Sequence, residues 1–285
     1  MYLLIIVLII TVLLSITMGG SGTGPSFSIS YGANILKLKW IPLLLGIMVF
    51  AGAYFAGDKT TQTVGKNLLN PDLMTYIVIS IVLFSVFIAI LIADIAGIPQ
   101  STSQATVFSV IAVAIFFNEF DANKFFYEIL PTWFIAPLLS FVLCFLLGKY
   151  IYKPLRKTGL TISKKVNDNY VLKAVILIMS LYVAFSIGAN NVANALGPLK
   201  GLANNELNIS ANESLIWLST IFTIAIFFGM GSLIFGKKIL KNTGKEIILF
   251  GKFEAIIIAF VSGSILLFIS LTNGIPTSLV QLNVA

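Results

Sequence analysis

The segment LYVAFSIGANNVANALGPL, residues 181–199, decides how the rest of the chain is read. An apolar run climbs to Ile187, meets Gly188, and gives way to three amides, Asn190, Asn191 and Asn194. Small residues (Ala189, Ala193, Ala195, Gly197) lie between them, and Pro198 closes the stretch. In a water-soluble setting this is an ordinary capped helix start. Here hydrophobic segments lie on both sides, which puts the amides at membrane depth. Backbone freed from a helix is tolerated there only where protein buries it or a wet cavity meets it. A break at Gly188 with half-helix ends aimed at a solute is how transporters build midplane sites. The alternative is a glycine-kinked helix whose asparagines bond neighbouring helices.

Composition sets the class. Hydrophobic residues make up 58% of the 285, charged residues 10%, and mean hydropathy is +1.00. A soluble domain would carry about a quarter charged residues. Several apolar runs reach the about 20 residues that a membrane-spanning helix needs. The first eighteen residues lack a basic leader and a cleavage site, so they read as a retained span. Cys144 is the single cysteine and histidine is absent, which excludes an internal disulfide, thiolate or imidazole metal sites, and Ser-His triads. The net charge of +7 reads as cytoplasmic-loop lysine and arginine rather than as a nucleic-acid-binding face.

Outward from the opening segment, the chain repeats itself. The first span runs from Tyr2 to Met18 and is expected to break at GGSGTGPS, Gly19 to Ser26. Ile41 to Ala56 follows, then a polar loop from Gly57 to Asp72, a span from Leu73 to Ala96, and GIPQSTSQ from Gly97 to Gln104. Ala105 to Phe117 then offers about 20 Å of helix, short of a crossing, which suggests a re-entrant hairpin. Phe125 to Gly148 spans fully. In the second half Gly188 falls opposite Gly19 at an offset of 169, Gly236 opposite Gly57 at 179, and GIPTSLVQ (Gly274 to Gln281) opposite GIPQSTSQ at 177.

Lys149 to Lys173 carries seven Lys/Arg against Asp168 alone and reads as a cytoplasmic linker between halves. If the first half crosses five times, the neutral loop at Gly57 and its lysine-rich mate at Gly236 fall on opposite faces, as an inverted repeat requires. The fold expected is therefore an all-α polytopic membrane protein of two inverted-topology repeats, with broken helices and re-entrant hairpin tips. Residues 1–148 form the first repeat, 149–173 the linker and 174–285 the second repeat.

Two pairs of motifs recur. The first half offers Ser21 and Thr23 at its break and Ser101, Thr102, Ser103 and Gln104 at its tip. The second offers Asn190, Asn191 and Asn194, then Thr277, Ser278 and Gln281. Hydroxyls, amides and free backbone N–H groups all donate hydrogen bonds, and helix N-termini add positive potential. Such a set replaces the hydration shell of a small oxyanion. A lone Ser-Thr-Ser is more often a solvated cap, and recurrence after Gly-Ile-Pro argues for a site. Neither break contains a carboxylate. Phosphate keeps protons that an acceptor can use, whereas sulfate presents acceptors only, so a donor-only site favours sulfate. Asp94 and Glu254 lie within apolar stretches and are the ion-coupling candidates. The other reading puts Asp94 near a span end and pairs Glu254 with Lys252.

GANNVANALGPL resembles the signature of the inorganic phosphate transporter (PiT) family, which usually has aspartate where this chain has Asn191. GIPQSTSQ is similar to that family's P-x-S-T-[ST]-[QH] tip. The first break, MGGSGTGPSFSISYGAN (Met18 to Asn34), has no Asn-Asp pair, which is similar to the sulfate-permease branch of the family. The resemblance implies that Ser21, Thr23, Ser101, Thr102, Ser103, Gln104, Asn190, Asn191, Asn194, Ser278 and Gln281 fall on substrate positions. Leu279 and Val280 depart from it by replacing hydroxyls, and the missing aspartate argues against sodium coupling. The resemblance also implies a returning helix beyond Gln281, so the second repeat is expected to be truncated.

These readings lead to a secondary transporter in the cell membrane that imports sulfate with protons by alternating access. A sodium- or proton-coupled phosphate transporter and a non-transporting membrane scaffold are the alternatives. The partners expected are sulfate or phosphate, a proton or sodium ion, the lipid bilayer and a homodimer mate. No cofactor, metal, nucleic acid or enzymatic activity is expected.

Overall fold

The computed structural model describes residues 2–154, 170–207, 209, 213–247 and 252–285. Most of the proposed linker, and with it Asp168, lies outside them. The described residues are helical, without strands. They form α1 (Tyr2–Gly32), α2 (Ile41–Ala56), α3 (Asp58–Gln62), α4 (Tyr76–Ala96), α5 (Thr102–Phe116) and α6 (Ala122–Tyr152). After the linker come α7 (Tyr170–Asn191), α8 (Ala193–Glu206), α9 (Ser214–Ile247), α10 (Lys252–Thr272) and α11 (Leu279–Val284). Among the described residues seven stretches are long and apolar enough to cross a bilayer, α7 and α8 counting together, and α5 is a shorter apolar helix. The chain is a multi-pass membrane protein. Its outward face is correspondingly greasy: Phe55, Phe134 and Phe268 stand more than 60% exposed, where lipid would cover them.

The expected break at Gly19 to Ser26 does not occur. α1 runs unbroken for 31 residues, past Pro25. Two of its hydroxyls bond back into their own helix, Thr23 to the Gly19 carbonyl at 2.7 Å and Ser26 to the Gly22 carbonyl at 2.9 Å, and so need no partner elsewhere. Its glycines serve packing instead. A Cβ on Gly19 would strike the Phe228 carbonyl, and one on Gly231 would strike that of Ile16, so α1 and α9 lie backbone against backbone. In the second half the interruption sits four residues beyond Gly188, at Val192 between α7 and α8, and Val192 keeps right-handed helical backbone angles. Gly188 again makes close packing, with α2 at Val49. The stretch from Gly57 is not a plain loop, since α3 and a following π turn fill 58–67. Gly236 lies inside α9.

Both hairpin tips form as expected. α4 ends at Gly97 with φ 79° and α10 leads to Gly274 with φ 64°, the two left-handed glycines among the described residues. A left-handed residue ends a helix cheaply only as glycine, and Pro99 and Pro276 prevent its resumption. Ser101 and Ser278 then cap α5 and α11, each side chain accepting the N–H of Gln104 or Gln281 at 3.3 Å. α5, at 15 residues, turns back along α4 as a half-length arm.

Candidate functional site

The tips meet each other. Nε2 of Gln104 donates to Oε1 of Gln281 at 3.2 Å, pairing two residues that stand 177 apart. Behind this pair Asn190 is fully buried and makes four hydrogen bonds. Its Oδ1 accepts from the Ser103 hydroxyl at 3.1 Å and from the Thr277 N–H at 3.2 Å. Its Nδ2 donates to Ser270 at 3.0 Å and to the Ile275 carbonyl at 3.4 Å. One amide from the α7 terminus thus ties the first tip to the second. Asn194, one helical turn on, donates to the hydroxyls of Thr102 at 3.3 Å and Ser103 at 3.4 Å, while its Oδ1 is buried without a partner.

On the α1 side Ser21 holds the first tip. Its hydroxyl donates to the Gln100 carbonyl at 2.9 Å and accepts the Gln100 N–H at 3.0 Å. Between α1, α7 and the two tips lies a narrow cleft of about 10 Å³, room for about one water molecule. Ligand pockets run from about 300 to 1,000 Å³, so the cleft as it stands here is closed down around its polar lining. Ser21, Gly22, Ser101, Thr102, Ser103, Asn191, Thr277 and Ser278 supply its polar lining, and Pro25, Ile187, Leu279 and Val280 its apolar walls. No lining side chain carries a charge. The N-terminus of α5 opens onto it, contributing N–H groups that have no partner within the helix and the positive end of the helix dipole.

Of the residues singled out from sequence, Ser21, Ser101, Thr102, Ser103, Asn191, Thr277 and Ser278 line the cleft, and Asn190, Asn194, Gln104 and Gln281 brace it. Thr23 stands apart, packed towards Gly236 and Ser232 of α9. Asp94 is buried against α1 and α9 rather than in the cleft, and Glu254 is half-buried in the first turn of α10. Sequence reasoning passed over Ser270, Gln100 and Trp133, whose indole N–H holds the Pro276 carbonyl at 2.9 Å. Gln100 sits inside the repeated tip motif and was within reach. Ser270 and Trp133 carry no local signal, because their role follows from tertiary contact alone.

A family model described as the phosphate transporter family matches residues 18–285. The sulfate permease CysP of Bacillus subtilis (strain 168) is 30% identical over 268 residues, covering 94% of this chain and 71% of that protein. A probable low-affinity inorganic phosphate transporter of the same organism is 27% identical over 255 residues, covering 85% and 74%. Among solved structures, one titled the sodium-dependent phosphate transporter superposes with a TM-score of 0.82 over 100% of this chain and 88% of that one. At 21% identity the likeness is one of fold.

Proposed function

The chain belongs to the phosphate transporter family, and on that premise we propose that it imports sulfate together with protons, as a secondary transporter working by alternating access. The observation that carries this reading is the cleft where the two tips meet: hydroxyl, amide and backbone donors surround it, and no carboxylate lines it. A fully ionised oxyanion offers only acceptors, which matches a lining of donors. A carboxylate there would repel it without a compensating bond. The similarity to a sulfate permease supports the same substrate.

The residues we assign to the anion are Ser21, Thr102, Ser103, Asn191, Thr277 and Ser278, with Ser101, Asn190, Asn194, Gln104 and Gln281 positioning them. Thr23 is left out of this set because it lies away from the cleft, packed towards α9. Two inverted repeats, residues 1–148 and 174–285, joined by a basic linker at 149–173, are the frame we infer for the alternation. The equal construction of the tips at an offset of 177 favours it. Rocking one repeat against the other would open the cleft to each side in turn.

Labelled sulfate uptake into proteoliposomes, with phosphate as competitor and an imposed pH gradient, tests the reading. Sulfate should accumulate when the outside is acid, and phosphate should compete weakly. Preferential phosphate uptake would reject the sulfate assignment. One observation favours that second substrate: the unpartnered Oδ1 of Asn194 is a buried acceptor that the O–H of a protonated phosphate could use. Asn194→Leu should then lower phosphate uptake more than sulfate uptake.

A further inference from the structure

Among the described residues Asp94 is the one charged side chain that is fully buried, and neither of its carboxyl oxygens has a hydrogen-bond partner. It stands near the end of α4. Its Oδ2 lies 2.5 Å from the place a Cβ on Gly20 of α1 would occupy, and the Phe235 side chain of α9 closes the same spot. One turn away on α9 the Ser232 hydroxyl is also buried without a partner. A glycine at position 20 is what lets the carboxyl fit against α1.

Two unpartnered oxygen-bearing groups in one helix seam need an explanation. A buried carboxylate without donors is costly, and the cost disappears when a proton or a cation neutralises it. Hard cations collect about six oxygens. Here only Asp94 and Ser232 are uncommitted, since the Thr23 hydroxyl already bonds the Gly19 carbonyl. A proton needs no such shell.

The neighbouring elements bring one cation to the backbone beside Asp94, Lys238 of α9 at the Ile95 carbonyl. α1 has no titratable side chain beyond Tyr2 and Tyr31 near its ends, and α5 has none. On α8, Lys200 sits 3.8 Å from Asp58, and Glu206 is at the last turn. On α9, Lys238 donates to the Ile95 carbonyl, while Lys237 and Lys241 are exposed.

We propose that Asp94 is the proton-binding site through which anion movement draws on the proton gradient. The inference rests on the transport reading above. The carboxylate takes up a proton where α4 stands away from α1, becoming the neutral acid. It is then sealed against Gly20 and Phe235 as seen here, and releases the proton when the seam reopens on the other side. No other bond changes. The link to the anion is short: Gly20 precedes Ser21, and Asp94 stands six residues before Gln100, the pair whose reciprocal hydrogen bonds hold the first tip. Glu254 lacks this enclosure.

Asp94→Asn and Asp94→Glu, reconstituted beside wild type, test it with two readouts: sulfate exchange without a gradient, and sulfate accumulation under an inward proton gradient. The amide mimics the neutral acid, so exchange should persist while gradient-driven accumulation falls by about tenfold or more, inside the roughly 5–150-fold range of coupling effects. Asp94→Glu should recover part of the drive. Full accumulation by the amide variant would overturn the proposal. Should wild type move neither sulfate nor phosphate, the transport reading fails on its own, and infrared difference spectra of the purified protein decide the proton site. A protonated carboxyl band that responds to pH and vanishes in Asp94→Asn supports it. A spectrum unchanged by that substitution overturns it. If the amide variant does not fold, absence of the pH-responsive band from wild type overturns it equally.

Discussion

The turn at Gly97–Gln104 and the turn at Gly274–Gln281 share a left-handed glycine, a following proline and a serine cap, yet their surroundings treat them differently. The first is held by Ser21, which reaches Gln100 and nothing else. The second is held by Asn190, which stands where Ser21 does at an offset of 169, and the N–H it takes belongs to Thr277, the counterpart of Gln100. An amide is longer than a hydroxyl and has both donors and an acceptor, so Asn190 also reaches Ser103 in the opposite turn. The walls differ as well: Thr102 and Ser103 face the cleft from one turn, Leu279 and Val280 from the other. Two turns of like construction thus present unlike walls, hydroxyls at 102 and 103 in the first and aliphatic side chains at 279 and 280 in the second.

Asn190→Ala should produce the largest effect. It leaves the Ser103 hydroxyl and the Thr277 N–H buried without their acceptor, at about 1–3 kcal/mol each, and should abolish sulfate uptake. Ser21→Ala disturbs one turn only and should cost less in thermal unfolding of the purified protein. Equal losses would break the comparison.

Next come the glycines. Gly274→Ala and Gly97→Ala both force a left-handed φ on alanine, at about 1–2 kcal/mol. A Cβ on Gly274 would also lie 2.6 Å from the Lys59 backbone, whereas one on Gly97 meets the side chains of Lys238 and Asn242 at 2.8–2.9 Å. Those side chains can move, so Gly274→Ala should unfold at the lower temperature, by an added overpacking cost of about 1–3 kcal/mol.

Removing hydroxyls sharpens the inequality of the walls. Ser103→Ala or Thr102→Val should weaken sulfate binding by about 1.5–3 kcal/mol each, as for hydrogen bonds to charged groups. Leu279→Ala, by comparison, should change affinity little while lowering stability. Binding measured by calorimetry separates the two. The smallest effect belongs to a matched pair of lysines. Lys59 donates to the Thr272 carbonyl at 3.2 Å and Lys238 to that of Ile95, each two residues before the glycine of its turn. A cation at a helix C-terminus is worth about 0.3–1 kcal/mol, so Lys59→Met and Lys238→Met should each lower stability by that much, less at high salt.

The turns were legible because Gly-Ile-Pro-x-Ser is a local instruction: a left-handed stop, a proline that forbids resumption and a cap that restarts the helix. The half-length of α5 could be read from residue count alone. The asparagines could be assigned to a polar site from their number at membrane depth. What failed was the interpretation of glycine. Gly19 and Gly188 read as breaks, yet both sit in regular helix and serve close approach to α9 and α2. Sequence does not separate the two uses, because a glycine that bends a helix and one that admits a neighbour look alike until the neighbour is known. The bonds of Asn190 to Ser270 and of Trp133 to Pro276 were out of reach for the same reason.

That close approach has a mechanical consequence. Where the main chains of α1 and α9, and of α2 and α7, touch without side chains between them, neither partner can roll about its own axis without driving a residue into the other's carbonyls. Gliding by a turn would do the same, because the residues one turn from Gly19 and Gly231, such as Ser15 and Phe228, carry a Cβ. The four rods are therefore pinned in pairs, α1 with α9 and α2 with α7, and each pair shifts as one piece.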